Sequence, residues 1–291
     1  MHTVLLFFLA FMAASKAAVQ GGIAKKMRTT TDNLFFNSLM FSAIVIVFIA
    51  VFGFKIPSPY TFGCAAVFGA CSVVFQFTYT DALKNGPMSL TVFINSFHLV
   101  IPIIISAFLY REIPGINQYI GLVFLVASLY MIIVKKESGA LEGALSAKWI
   151  VSVICCTLCA GSTVSSQKVH QCSEFKGEYS QFIVFAYLVA SILSFISYLY
   201  FKYIRKERQH LKLEPKIISF AALIGVILGI YNSGVLYLSG VFKSILLTPA
   251  INISTVLFST LYGTALFHER ISKNQRIGFA LGLISILLIS I

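Results

Sequence analysis

Stretches of about 20 consecutive apolar residues recur from one end of this chain to the other, and this recurrence restricts the fold more than any motif does. A hydrocarbon layer roughly 30 Å thick takes about 20 helical residues to cross. Ten such stretches fit, at residues 3–24, 34–54, 60–83, 89–110, 118–134, 149–169, 179–201, 217–239, 245–267 and 274–291. Almost every charged side chain falls between or at the edges of them. Of the 291 residues, 58% are hydrophobic and 11% charged, more apolar surface than a soluble domain could cover. Backbone groups in lipid must be paired inside their own helix, so an all-α integral membrane protein of ten transmembrane helices is expected. The longest polar connection, about 202–216, is too short and too charged to fold alone. The run Val4 to Ala14, followed by the small residues Ser15, Ala17 and Ala18, has the look of a secretory signal. It lacks a basic start, and it is read as the first span.

The net charge of +12 would suggest nucleic acid for a soluble protein, but here the basic residues sit at span ends and orient the chain. Lys and Arg in or beside the loops after the odd spans number 16, against 5 for the even spans. The positive-inside rule then puts the odd loops in the cytoplasm and both termini outside. Five of the six cysteines, Cys64, Cys71, Cys155, Cys156 and Cys159, lie within spans and act as small apolar groups. Cys156 and Cys159 have CxxC spacing, but no His or carboxylate lies near them in that span, so no metal is expected.

The chain also repeats itself. With a shift of 157, residues 90–132 meet identical partners at Leu90, Thr91, Ile94, Asn95, Leu109, Glu112, Asn117, Gln118, Ile120, Gly121, Ser128 and Ile132. The shared pattern E-x4-N-Q-x-I-G runs from Glu112 to Gly121 and again from Glu269 through Asn274 and Gln275 to Gly278. Leu and Ile matches mean little in membrane segments, but this pattern points to duplication. Slightly different shifts pair Gln20 with Gln167 and Gln76 with Asn232. The halves are 1–134 and 149–291, joined by a loop at 135–148. Each holds five spans, an odd number, so the second enters the membrane inverted. Inverted repeats of this kind place a substrate site near the midplane between the halves.

Through Gly86-Pro87, Glu112 and Gly121, and again through Glu269 and Gly278, the sequence resembles the drug/metabolite transporter superfamily, in particular the EamA-type ten-helix carriers. The resemblance implies a central cavity lined by spans 1, 3, 4, 6, 8 and 9, with spans 5 and 10 outside. It also implies cytoplasmic termini, against the charge tally. Members of the superfamily move amino acids, sugars, nucleotide sugars, phosphorylated metabolites and drugs, so the resemblance leaves the solute open.

Glu112 and Glu269 stand at span ends beside Asn117 and Asn274, which are placed to cap the next helix, so these residues read as structural. Asn95 and Asn252, Gln20 and Gln167, and Gln76 and Asn232 serve either as interhelical hydrogen bonds or as solute contacts. The unpaired features are the sharper candidates, because an asymmetric solute needs asymmetric groups. Lys16 faces Thr163 in the repeat, and His98 faces Thr255. Lys16 sits close to the middle of span 1, where a cation needs water, a partner or an anionic solute. Asp81 lies near Lys84 and reads as an interfacial ion pair.

These features fit a secondary carrier working by alternating access on a small polar metabolite, anionic or zwitterionic, such as an amino acid or a phosphorylated or carboxylated compound. A flippase for a lipid-linked head group and a non-transporting sensor or assembly subunit are the alternatives. Paired carboxylates, a nucleophile with its base and a nucleotide-binding loop are not evident in the sequence, so neither an enzyme nor a cofactor is expected. Coupling to protons or a counter-substrate is left open, as is a homodimer. The expected partners are the bilayer and a small solute, not nucleic acid, and the expected location is a bacterial cytoplasmic membrane.

Overall fold

In the computed structural model, which describes residues 2–24, 27–85, 94–95, 97–111, 115–133, 146–211, 214–267 and 273–290, the chain is helical almost throughout. Ten α-helices form among these residues: α1 (His2–Ala24), α2 (Thr30–Phe52), α3 (Pro59–Asn85), α4 (Val100–Tyr110), α5 (Ile116–Ile133), α6 (Ala147–Gln171), α7 (Tyr179–Leu199), α8 (Pro215–Val241), α9 (Ser244–Phe267) and α10 (Lys273–Ser290). A 3-10 turn, Phe97–Leu99, leads into α4. Gly86, Pro87, Glu112 and Glu269 lie outside the described residues, and so do the side chains of Gln20 and Gln275.

Five helices are long and apolar enough to cross a membrane: Thr30–Phe52, Pro59–Ala82, Ala147–Gln171, Tyr179–Ile204 and Pro215–Val241. The other five carry shorter apolar stretches of 10–17 residues. Local signals set several ends. Thr29 and Asp32 form a capping box at the start of α2, the Ser146 hydroxyl accepts from the Trp149 N–H, and Pro215 occupies the first turn of α8. Gly53, at φ 72°, closes α2 in a conformation that disfavours other residues. Asn117 and Asn274 do not cap. Each is the second residue inside its helix, and at α5 Gln118 Oε1 accepts from the Gly115 N–H at 3.0 Å.

The main core joins α2, α3, α7 and α8 through Phe36, Met40, Phe41, Phe68, Phe182, Tyr187 and Ile224. Lipid is as apolar as these side chains, so close packing and interhelical hydrogen bonds hold such a block together. Gly69 and Gly225 permit it: a Cβ on either would run into backbone, at Ala186 O and Met40 O respectively. Outside this block α6 packs on α3 and α1 on α8, α4 on α6 and α9 on α1, while α5 and α10 pair with each other. The α5–α10 pair is stitched reciprocally, because Ser128 Oγ donates to Gly278 O and Ser285 Oγ to Gly121 O, both at 2.7 Å.

Carboxylates join the halves at both ends of the bundle. At one end the buried Asp32 accepts from the N–H groups of His210 and Leu211 at 2.7 Å and from Arg28 and Thr29 at 3.1 and 3.2 Å. There Glu207 accepts from the N–H groups of Thr30 and Thr31 and from the Thr31 hydroxyl. At the opposite end Glu178 accepts from the Ser58 N–H at 2.9 Å and hydroxyl at 2.8 Å. Hydrogen bonds led by the Thr61 hydroxyl and the Ser58 N–H hold the Glu178 carboxyl below the usual carboxylate range. Asp81 is paired with Lys148 at 3.1 Å and accepts from Ser152 at 2.9 Å, so it joins α3 to α6. The Lys84 side chain assigned to it from sequence lies outside the described residues.

Candidate functional site

Five helices form a closed circuit of neighbours, each packed on the next: α1, α9, α4, α6 and α8, with α3 against α6. Every solute-contact candidate stands on one of these six helices, on the turn entering α4 or, for Asn95, just before that turn.

Four of the nine candidates are spent on contacts within the protein. Asn95 Oδ1 accepts from Cys156 Sγ at 3.5 Å, and the Asn95 carbonyl accepts from His98 Nδ1 at 2.8 Å. A carbonyl cannot donate, so Nδ1 carries the proton in that contact and Nε2 is left as the acceptor. His98 also packs tightly on α6, where a Cβ on Gly161 would stand 2.8 Å from His98 O. Gln167 is 1% exposed and its Nε2 donates to Asn232 O at 3.0 Å. Asn232 Nδ2 donates to Tyr187 Oη at 2.7 Å and to Leu228 O at 3.2 Å. For Gln167 and Asn232 the interhelical reading is the one the contacts support. Asn252 and Thr255 are half-buried on α9.

Two candidates are different. Gln76 is 6% exposed and its amide makes no hydrogen bond among the described residues. It lies two turns beyond Gly69 and on the same face, opposite the exposed Val67 and Val74. Lys16 is half-buried, and no carboxylate among the described residues lies within ion-pair distance. It lies two turns beyond Leu9, which fills the space in front of Gly234 on α8, and well away from the face of Val4, Phe7 and Phe11 that meets lipid. A cation this deep costs about 2.5–3.5 kcal/mol on insertion scales.

Sequence reasoning missed the residues that close one end of the circuit. There Lys168, only 4% exposed, donates through Nζ to Phe242 O at 3.0 Å, and Gln171 covers Gly240, while Gln167 reaches Asn232. Lys168 had counted only as a charge near a span end; its place four residues from Cys172 gave no sign that it is buried. A cleft among α2, α3 and α7, lined by Leu34, Val73, Val74, Phe77, Ser197 and Phe201, contains none of the candidates.

A bundle of ten helices with apolar outer faces and its polar side chains turned inward is that of an integral membrane protein. The model of the EamA-like transporter family matches residues 2–134, which bears out the resemblance seen in the repeat motif. The backbone superposes on a protein crystal structure with a TM-score of 0.75 and 14% identity, covering 98% of this chain and 94% of the other, which shows a shared fold. No curated protein matches the sequence.

Proposed function

We propose that the chain is a secondary carrier, built as two inverted five-helix repeats, that moves a small polar solute by alternating access. Two reciprocal contacts support the inversion. The serine bonds of α5 and α10 exchange partners under the 157-residue shift, Ser128 for Ser285 and Gly121 for Gly278. The carboxylates behave alike: Asp32 at the start of α2 grips the segment before α8, and Glu178 before α7 grips the segment before α3.

The observation that carries alternating access is a closure of α6 on α8 at one end that has no counterpart between α1 and α3 among the described residues. At the end of residues 172–178, α6 and α8 are bonded through Gln167 and Asn232 and through Lys168 and Phe242. Their repeat counterparts, α1 and α3, make no comparable contact among the described residues, and Gln76, counterpart of Asn232, has no partner. Two inverted halves in unlike arrangements are what a carrier has when one gate is shut. Exchanging the arrangements opens the 172–178 end and brings Gln20 to Gln76. With the charge tally, the closed end is exterior and the open one cytoplasmic. The flippase alternative calls for polar groups in a cleft facing lipid, and the cleft among α2, α3 and α7 offers only Ser197.

The test is cross-linking in a cysteine-free background. Cysteine pairs at Gln167 and Asn232, and separately at Gln20 and Gln76, should each cross-link in membranes. Locking either pair should stop transport, and reduction should restore it. Full transport with the 167–232 pair locked would overturn alternating access through this gate.

A further inference from the structure

We infer that Lys16 and Gln76 together form the recognition site for a small organic anion, the ammonium binding a carboxylate or phosphoryl oxygen and the amide bonding a neighbouring polar group. This rests on the carrier reading and adds the class of solute.

Lys16 and Gln76 are on helices that run the same way. His2 lies in ring contact with Phe242, and Ser58, just before α3, bonds Glu178, so α1 and α3 both start at the 172–178 end. Each residue is about two-thirds of the way along its helix, counted at 1.5 Å per residue. Both therefore sit at similar depth, beyond the closed gate, on inward faces of two helices that are not in close contact with each other.

The repeat explains why their polar capacity is unspent. Asn232, the counterpart of Gln76, has Tyr187 to bond. Ser42 and Ser191 meet at 2.7 Å where α2 crosses α7, and the exchange relating them puts Ser38 where the second half has Tyr187. The Ser38 hydroxyl is turned back to Phe35 O and is too short to fill the tyrosine's role. Lys16 likewise replaces Thr163, whose hydroxyl is satisfied by Ala160 O in its own helix. At both positions the first half departs from the second by giving up an internal bond. An amide and an ammonium that have no bonded partner among the described residues are complementary to a ligand that brings negative charge and further hydrogen-bonding groups.

The test reads local potential and needs no known substrate. In the full chain with its six native cysteines replaced, Gln76→Cys is modified with 2-sulfonatoethyl methanethiosulfonate, an anion, and with the trimethylammonioethyl reagent, a cation. Relative to a free thiol in solution, the anionic reagent should be speeded and the cationic one slowed by about tenfold each, a preference of about a hundredfold, the factor a unit charge at roughly 12 Å gives at an effective dielectric constant near 20. Lys16→Met should abolish the preference and Lys16→Arg retain it. Succinate and inorganic phosphate are then tested as protecting ions: slowing by the first assigns a carboxylate, by the second a phosphoryl group. Thr255→Cys on α9 is a near-isosteric second reporter should Gln76→Cys not purify as a monodisperse protein. No reaction with either reagent, a preference unchanged in Lys16→Met, or protection by neither anion would each overturn the inference. Failure of the gate cross-links alone would remove the carrier reading and leave the anion site standing.

Discussion

Lys168→Met should open the end of the bundle that this structure holds shut. The Lys168 ammonium is 4% exposed and donates to the carbonyl of Phe242, where α8 ends, at 3.0 Å. A hydrogen bond involving a charged group contributes about 1.5–3 kcal/mol. Methionine keeps the length and apolar stem of the side chain and removes the donor and the charge. The ratio of closed to open gate should then fall by roughly 10- to 150-fold. A protein that is closed 99 times in 100 would become visibly mixed at either limit. The assay is pulsed dipolar spectroscopy between spin labels on Cys172 and Lys243→Cys, both exposed at that end, with the other native cysteines replaced. The parent protein should give one short distance, and Lys168→Met a second, longer population. Lys168→Arg, which keeps a charged donor, should stay near the parent. An unchanged distribution in Lys168→Met would refute the reasoning that this bond latches the gate.

Three further outcomes are expected. Lys16→Met should abolish uptake into proteoliposomes while leaving the protein folded and inserted, and Lys16→Arg should keep part of the activity; normal uptake by the Met variant would exclude Lys16 from the site. Asp32→Ala leaves four backbone N–H groups without their acceptor, so it should cost about 3 kcal/mol, read as a lower unfolding temperature in detergent than Thr30→Ala, and a loss under about 1 kcal/mol would contradict the clasp. Glu178 has a lowered pKa when folded, so its stabilisation is present above the ordinary value of 4.5 and is lost as pH falls through the lower folded value. An unfolding-temperature series from pH 6 to 3 should show that loss, and Glu178→Gln should flatten it.

Much of the fold was legible because lipid imposes a coarse rule. An apolar stretch of about 20 residues has few alternatives to a spanning helix, so the number and order of the helices followed from composition along the chain. In the motif E-x4-N-Q-x-I-G, Gly121 and Gly278 offer their carbonyls to Ser285 and Ser128, a pairing that the sequence did not foretell. Asn117 and Asn274 were misread as caps because a capping residue and one a single position inside the helix look alike in sequence. Of the paired polar residues, sequence left each equally open to packing or to solute.

What the sequence determined by itself is the solvent, the helix count, the recurrence of one motif and the rarity of a lysine deep in the first span, all of which depend on local composition or on comparing the chain with itself. Tertiary structure alone decided which of two equivalent-looking amides is spent. Gln167 and Asn232 found partners on neighbouring helices, whereas the Gln76 amide has none among the described residues. It also decided that Lys168 is buried and bonded to the Phe242 carbonyl. The physical reason is that a hydrogen bond depends on distance and direction between helices far apart in the chain, so similar amides in similar sequence surroundings offer the same potential bonds until packing commits one of them and not the other.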